Sequence, residues 1–161
     1  MARVLLRKVR LSDCQFFAKW WKDRILMHTL GIKVRAGEKT VNKRFSKIAK
    51  YEKDKKKYVI LGDSHVIGYI RLRKQEDGWY ELGIFIGDRR FWGKGYGTKA
   101  INLILRQANQ QKIKHIYLET RPDNKRAIKA FKKNGFREVA LKEDPTNKYI
   151  KKMLRMELIK K

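Results

Sequence analysis

Gly93, Gly95 and Gly97 fall on alternate residues of "FWGKGYGTKA" (Phe91 to Ala100), directly before a helix-like run, "AINLILRQANQQ". Glycine in or near a helix costs on the order of 1 kcal/mol against alanine, so three in succession point to a backbone that must come close to something. Glycine-rich strand-to-helix junctions suit phosphate. N–H groups converge there, the positive end of the helix dipole attracts an anion, and glycine removes the Cβ that would hold the ligand off. Two familiar phosphate loops do not match. Against the Walker pattern G-x-x-x-x-G-K-[ST], Gly87 and Gly93 are one residue too far apart, and Gly95 follows Lys94 where Ser or Thr belongs. Against the dinucleotide pattern G-x-G-x-x-G, Gly93 and Gly95 are followed by Thr98. Neither an ATPase nor a Rossmann dehydrogenase is supported.

The elements that position this junction can be read along the chain. "RVLLRKV" (Arg3 to Val9) reads as a strand, and Ser12 as the N-cap of one helix over "DCQFFAKWWKDRILMHTL", with Phe16, Phe17, Trp20, Trp21 and Leu26 as its apolar stripe. A second helix is expected over Lys39 to Lys53, where Val41, Phe45, Ile48 and Ala49 share a face. "KYVILGDSHVIGYIRLRK" reads as two strands joined at "GDSH", with Gly62 and Asp63 as turn residues. "WYELGIFIG" is a third strand of this group. A helix from about Tyr96 to Gln111 follows, then the strand "HIYLET", then a helix from about Asn124 to Asn134 that Gly135 ends. The strands "FREVALK" and "KKMLRMELI" close the chain around a turn at "EDPTNK". The order β-α-α-β-β-β-α-β-α-β-β describes one mixed α/β domain over residues 1–161.

Composition sets the bounds. A chain of 161 residues with 42% hydrophobic content is one domain with one packed core, and it has no apolar run long enough to span a bilayer. The opening "MARVLLRKVRL" lacks a signal-peptide core. The lone Cys14, expected to be buried in the first helix, forms no intramolecular disulfide. A cytoplasmic protein is the simplest expectation. His28, His65 and His115 have no metal-ligand spacing, so no metal is implied. With 42 Lys and Arg against 16 Asp and Glu the formal net charge is +26. Such a field concentrates anions, whether nucleic acid, phosphorylated metabolites or acidic proteins.

"WGKGYGTKA" after "ELGIFIGD", followed by "LETRPDNKRAIKAFKKNGF", resembles the GCN5-related N-acetyltransferases, in particular their branch of ribosomal-protein N-terminal acetyltransferases. "LLRKVRLSDCQFFAKWWKD" resembles the family's opening strand and helix, so the likeness covers nearly the whole chain. It implies a mostly antiparallel sheet of about six or seven strands flanked by about four helices, with acetyl-CoA as acetyl donor. The family's pyrophosphate loop, R/Q-x-x-G-x-G/A, falls on Trp92, Gly93, Lys94, Gly95, Tyr96 and Gly97, with Thr98 next and tryptophan in the first position. The likeness also implies that the backbone of Ile84, Phe85 and Ile86 pairs with the pantetheine arm, that Asn124 contacts the cofactor near its thiol end, and that Arg126 and Lys129 meet the 3′-phosphate.

Direct acetyl transfer needs a neutral amine, a polarised thioester carbonyl and a sulfur able to leave. The resemblance offers two carboxylates as proton acceptor. Glu119 aligns with the glutamate proposed as base in the ribosomal branch, and Glu81 with a strand glutamate used elsewhere in the family; the sequence leaves both open. Where the family carries a tyrosine as general acid, seven residues past the asparagine, this chain has Phe131. The favoured acceptor is a protein N-terminal amine, with an anionic or RNA-associated acceptor suggested by charge. The alternatives are a small-molecule amine (a nucleotide-linked amino sugar before an aminoglycoside) and a catalytically weak nucleic-acid-associated protein on the same fold. A monomer or a homodimer fits equally.

Overall fold

The computed structural model describes residues 2–32, 37–53, 55–143, 145 and 151–159. Seven strands make one sheet: β1 (Val4–Lys8), β2 (Lys55–Gly62), β3 (His65–Lys74), β4 (Tyr80–Ile86), β5 (His115–Thr120), β6 (Arg137–Glu143) and β7 (Lys152–Ile159). Their spatial order is β1-β2-β3-β4-β5-β7-β6. Every neighbouring pair is antiparallel except β4 and β5. Among the described residues five α-helices accompany them: α1 (Cys14–Trp20), α2 (Arg24–Leu30), α3 (Glu38–Ala49), α4 (Tyr96–Gln110) and α5 (Lys125–Lys133). The turn expected at "EDPTNK" lies largely outside the described residues.

The expected fold is present, with one more helix among the described residues than the four read along the sequence. The long first helix is two, because Asp23 leaves helical geometry and caps α2, its side chain accepting the N–H groups of Ile25 and Leu26 at 3.0 and 3.2 Å. Ser12 is not a cap; it lies in a short 3-10 turn, Leu11–Asp13. The buried carboxylate of Asp13 accepts the Arg10 N–H at 2.7 Å and two bonds from the Arg7 guanidinium instead. Cys14 is half-buried, not buried. The helix expected to reach Lys53 stops at Ala49, leaving the lysine-rich stretch to lead into β2. In the hairpin between β2 and β3 the turn residues are Asp63 and Ser64, with φ of 47° and 71°. That left-handed geometry suits a two-residue hairpin turn. Asp63 accepts the Arg3 N–H at 3.0 Å and the Tyr96 hydroxyl, which ties the hairpin tip to β1 and to the start of α4.

The alternation of strand residues builds a core on each face of the sheet. On one face Ile60, Ile70, Leu72, Leu82 and Leu118 meet Ile101 and Ile104 of α4 and Phe131 of α5. On the other, Val59 and Tyr69 meet Phe17, Trp20 and Trp21 around α1, Leu26 of α2 and Phe45 of α3. The close approach of α1 to the end of β4 depends on Gly87, where a Cβ would stand 2.2 Å from the Trp20 ring.

One irregularity shapes the site. The parallel strands β4 and β5 pair only at Tyr80 with Ile116 and at Glu81 with Tyr117. From Leu82 onward β4 keeps its pairing to β3 alone, and β5 its pairing to β7. A wedge opens between the two strands, with α4 beginning at one side of it and α5 at the other.

Candidate active site

The wedge opens into a cavity of about 420 Å³ bounded by β4, the glycine segment, α4 and α5. Gly93 and Gly95 have φ of 70° and 87°, left-handed values that glycine adopts without strain. A Cβ built on either would meet no protein atom within 4 Å. Gly95 is the N-cap of α4, and the first turn of any helix leaves its N–H groups without partners inside the helix. Among the described residues, the amides from Gly93 to Thr98 have no backbone partner. The cradle is therefore open, polar and at the positive end of a 15-residue helix, which fits the pyrophosphate of acetyl-CoA.

The individual residues divide. Gly93, Gly95, Tyr96, Gly97, Thr98, Asn124 and Lys129 line the cavity, together with Ile84, Phe85, Ile86 and Trp92. Lys94 does not; it is exposed outside it. The Tyr96 hydroxyl is engaged by Asp63, so this residue offers the cavity its backbone N–H and its ring, which packs edge-on to Phe91. On β4, Gly87 donates to the Ile67 carbonyl at 2.7 Å. Antiparallel pairing alternates, so the polar backbone groups of Phe85 face β3, while those of Ile84 and Ile86 face the wedge. Phe85 is thus corrected as a backbone partner for pantetheine. The Ile86 carbonyl is taken too, by the Trp92 indole N–H at 2.7 Å. Ile84 and the N–H of Ile86 are left as the backbone edge without a partner among the described residues.

Trp92 also explains Arg126. The Arg126 guanidinium lies 3.6 Å from the Trp92 ring centroid, a cation–π contact that reaches across the cavity from α5 to the glycine segment. The tryptophan in the loop's first position recruits an arginine from elsewhere in the chain. Lys125, Lys129 and Lys133 line the same wall.

A second cavity, of about 290 Å³, adjoins the first. Ile84, Asn124, Ala127 and Phe131 line both, as do Thr29 and Leu30 from the end of α2. Asn124 caps α5, its side-chain oxygen accepting the Ala127 N–H at 3.3 Å, and at the same time stands at this junction. Phe131 is buried against Phe136. Asn134 donates to the Thr98 carbonyl at 3.1 Å, which fastens the end of α5 to the first turn of α4.

Glu81 and Glu119 both line the second cavity. Glu81 Oε1 accepts from Arg71 and Arg73, each at 2.9 Å, and Oε2 accepts from the Tyr117 hydroxyl at 3.3 Å. Burial alone would push its carboxyl up, but the two guanidinium groups and the tyrosine outweigh that and hold it below the ordinary value. Glu119 is exposed and pairs with Lys142 at 3.2 Å. It sits two residues past Tyr117, inside the wedge. Sequence reasoning missed Arg71, Arg121, Thr29 and Leu30 in this cleft; nothing in their spacing distinguishes them from ordinary surface or helix-end residues. Among the described residues no group of three or more His, Cys, Asp or Glu could hold a metal ion, and no helix is long and apolar enough to cross a membrane.

Solved structures share this fold. A GNAT-family acetyltransferase from Bacillus anthracis superposes with a TM-score of 0.81 at 20% identity, covering 98% of this chain and 95% of that one. A spermidine N-acetyltransferase from Vibrio cholerae, solved with CoA and spermine, gives 0.80 at 20% identity over 97% and 95%. An aminoglycoside acetyltransferase in complex with coenzyme A gives 0.79 at 20% identity over 98% and 95%. The sequence profile of the acetyltransferase (GNAT) domain matches residues 3–137. With that match over most of its length, and a glycine cradle opening on a wedged sheet, the chain belongs to the GNAT acetyltransferases, N-acetyltransferases that draw on acetyl-CoA.

Proposed function

We propose that this enzyme acetylates the N-terminal amine of a protein, in the manner of the ribosomal-protein acetyltransferases, and does so in the cytoplasm. The single observation that carries the reading is the junction of the two cavities at Ile84, Asn124 and Phe131, with Glu119 and Glu81 on the acceptor side. The amides from Gly93 to Thr98 would hold the pyrophosphate, Ile84 the pantetheine arm, and Lys129 with its neighbours on α5 the remaining phosphate. Acetyl-CoA supplies a thioester, whose acyl carbon is open to attack by an amine. The amine nitrogen bonds to that carbon as the carbon–sulfur bond breaks, the electron pair of that bond leaves with sulfur, and the nitrogen's proton passes to a carboxylate directly or through water. We assign that role to Glu119 over Glu81, a reading supported by its position on β5 beyond the last pairing to β4 and by its having one lysine partner where Glu81 has two arginines. The overall likeness to the ribosomal branch and the net charge of +26, suited to acceptors held near RNA, support the choice of substrate; aminoglycoside acetyltransferases also resemble the chain around "LETRPDNKRAIKAFKKNGF", and there the charge disfavours a polycationic acceptor.

Thiol release from acetyl-CoA, measured over a panel of ribosomal-protein N-terminal peptides, nucleotide-linked amino sugars, aminoglycosides, spermidine and tRNA, tests it. Release with the peptides is expected. Release confined to a small amine would overturn the protein acceptor and leave the acetyltransferase. Silence with CoA still bound, together with salt-sensitive RNA binding, would support the binding-protein alternative.

Phe131 has no proton to give. A CoA thiol ionises only about two units above neutral, so its thiolate leaves without help. Phe131→Tyr is accordingly expected to leave acetyl-CoA affinity unchanged and to alter kcat by less than about tenfold, below the 10²-fold or more a required general acid contributes. Calorimetry and steady-state kinetics on one preparation read both. A loss of binding would show that Phe131 does not occupy the tyrosine's place.

A further inference from the structure

Helices α3 and α5 carry most of the helical positive charge, and only α5 has an anion to serve. Lys125, Arg126, Lys129 and Lys133 line the cavity that suits acetyl-CoA and its phosphates. Among the described residues, none of α3 lines either cavity. Nor is lysine the chain's default wherever a helix meets water. The exposed positions of α4 include Asn102, Asn109 and Gln110 beside Lys99 and Arg106. The cations of α3 need another account.

From Lys39 to Tyr51 the chain carries Lys39, Lys43, Arg44, Lys47 and Lys50, and no acidic residue. Helical periodicity sorts them. Val41 and Phe45 are buried in the core shared with Phe17, and Ile48 packs against it. Lys39, Lys43 and Lys47 recur every four residues on the opposite side, all exposed, so their Cα atoms rise about 6 Å per step. Among the described residues none of the five cations forms an ion pair. Glu52, the next carboxylate along the chain, is held by Lys55 and Lys57. A row of amines therefore stands in water on one helix face with its charge unspent. Past the helix end, directly after Lys50, Tyr51 is 85% exposed, an aromatic face open to solvent.

We infer that this face of α3, with Tyr51, docks single-stranded RNA: Lys39, Lys43 and Lys47 meet phosphates of one strand, and Tyr51 stacks on an unpaired base. A row of cations ending in an aromatic ring suits a single strand, whose backbone presents phosphates in series and whose every base offers a π face. An anionic membrane is a poorer match, because the apolar face that such a helix inserts is already in the core. An acidic protein calls for an apolar centre within the patch, and the face offers one ring at its end. Asn42 and Ser46, exposed on the flank of the same face, give 2′-hydroxyls hydrogen-bonding partners, which favours RNA over DNA. The surface does not depend on which amine is acetylated; under the proposed function, RNA bound here would hold the enzyme near a ribosomal-type acceptor.

Fluorescence anisotropy on the full chain tests it, with a short labelled RNA strand, the same sequence as DNA, the RNA as a duplex, and a polyglutamate peptide, over a series of salt concentrations. The single RNA strand is expected to bind more tightly than duplex or peptide, and at least as tightly as DNA. The triple variant Lys39→Gln, Lys43→Gln, Lys47→Gln is expected to lose about tenfold or more in RNA affinity at about 0.1 M salt. Its salt slope should flatten by about two, since each phosphate contact on a single strand contributes about −0.7. Tyr51→Ala is expected to cost about fivefold or more with the slope unchanged, and Tyr51→Phe almost nothing. A second triple, Lys74→Gln, Lys114→Gln, Lys152→Gln, removes the same charge from exposed positions elsewhere and is expected to stay within about threefold of the parent. Unchanged acetyl-CoA affinity confirms that every variant folds. Equal losses from the two triples would mean that net charge alone binds RNA, and would overturn the surface. So would a preference for duplex or polyglutamate, DNA bound more tightly than RNA, or no RNA binding at low salt. The readout uses no acceptor: failed peptide acetylation leaves this surface standing, and failed RNA binding leaves the acetyltransferase standing.

Discussion

Gly95→Val is expected to weaken acetyl-CoA binding by about 100-fold or more, the loss that follows from disturbing several N–H donors to a charged group at about 1.5–3 kcal/mol each. The argument has two parts. At φ of 87° an L side chain is strained, by roughly 1–2 kcal/mol. The added side chain also projects into space that no protein atom fills within 4 Å, in a segment whose six consecutive amides, Gly93 to Thr98, have no backbone partner among the described residues. Strain and blockage must be separated, and the chain provides the control. Gly78, in the turn between β3 and β4, has φ of 86° and the same empty surroundings, and lines neither cavity. Gly78→Val is expected to lower the melting temperature about as much as Gly95→Val, yet to leave acetyl-CoA affinity untouched. Calorimetric titration and thermal melts of the three proteins decide it. If Gly95→Val binds normally, the cradle is not where the pyrophosphate lies.

This cradle was the most legible part of the sequence, because glycine at a helix start has few other uses. α5 was legible for a similar reason: Asn124 and Gly135, with φ of 93°, mark its two ends by side-chain capping and by left-handed geometry. "HIYLET" read as β5 to the residue, its buried run bounded by polar ends. The break between α1 and α2 was hidden. Trp20, Trp21 and Leu26 all enter one core, so the apolar pattern runs straight through the interruption at Asp23. The cleft was less legible still. Arg71 stands in an alternating strand where a cation normally faces water. Only the sheet register, which sets Arg71 against Gly83 and Arg73 against Glu81, brings two arginines onto one glutamate. Trp92 read as a mild departure from the loop pattern. Its bond to the Ile86 carbonyl and its stacking with Arg126 are long-range contacts that no local spacing encodes.

The same register sets Glu81, and not Glu119, among two arginines. Glu119→Gln is expected to reduce kcat by about 10²-fold or more, the contribution of a general base, while acetyl-CoA affinity stays as it was. Glu81→Gln is expected to act differently. A carboxylate held below the ordinary value of 4.5 by two arginines is a weak proton acceptor at neutral pH, so its removal costs position more than proton transfer. Arg71 and Arg73 lose their shared partner, and the change falls on the acceptor KM and on stability. The pH dependence of that stability has a definite sign. A carboxyl whose folded-state pKa is depressed contributes stability fully above its unfolded value and loses it as pH falls through the folded one. Glu81→Gln is therefore expected to be less stable than the parent at pH 7, with the gap closing as pH drops below 4.5. Steady-state kinetics with urea denaturation of both variants at pH 7 and below 4.5 distinguish the two carboxylates. A large kcat loss in Glu81→Gln with full activity in Glu119→Gln would exchange their roles. A loss in both, with acceptor KM unchanged, would mean that they pass the proton along one chain of water.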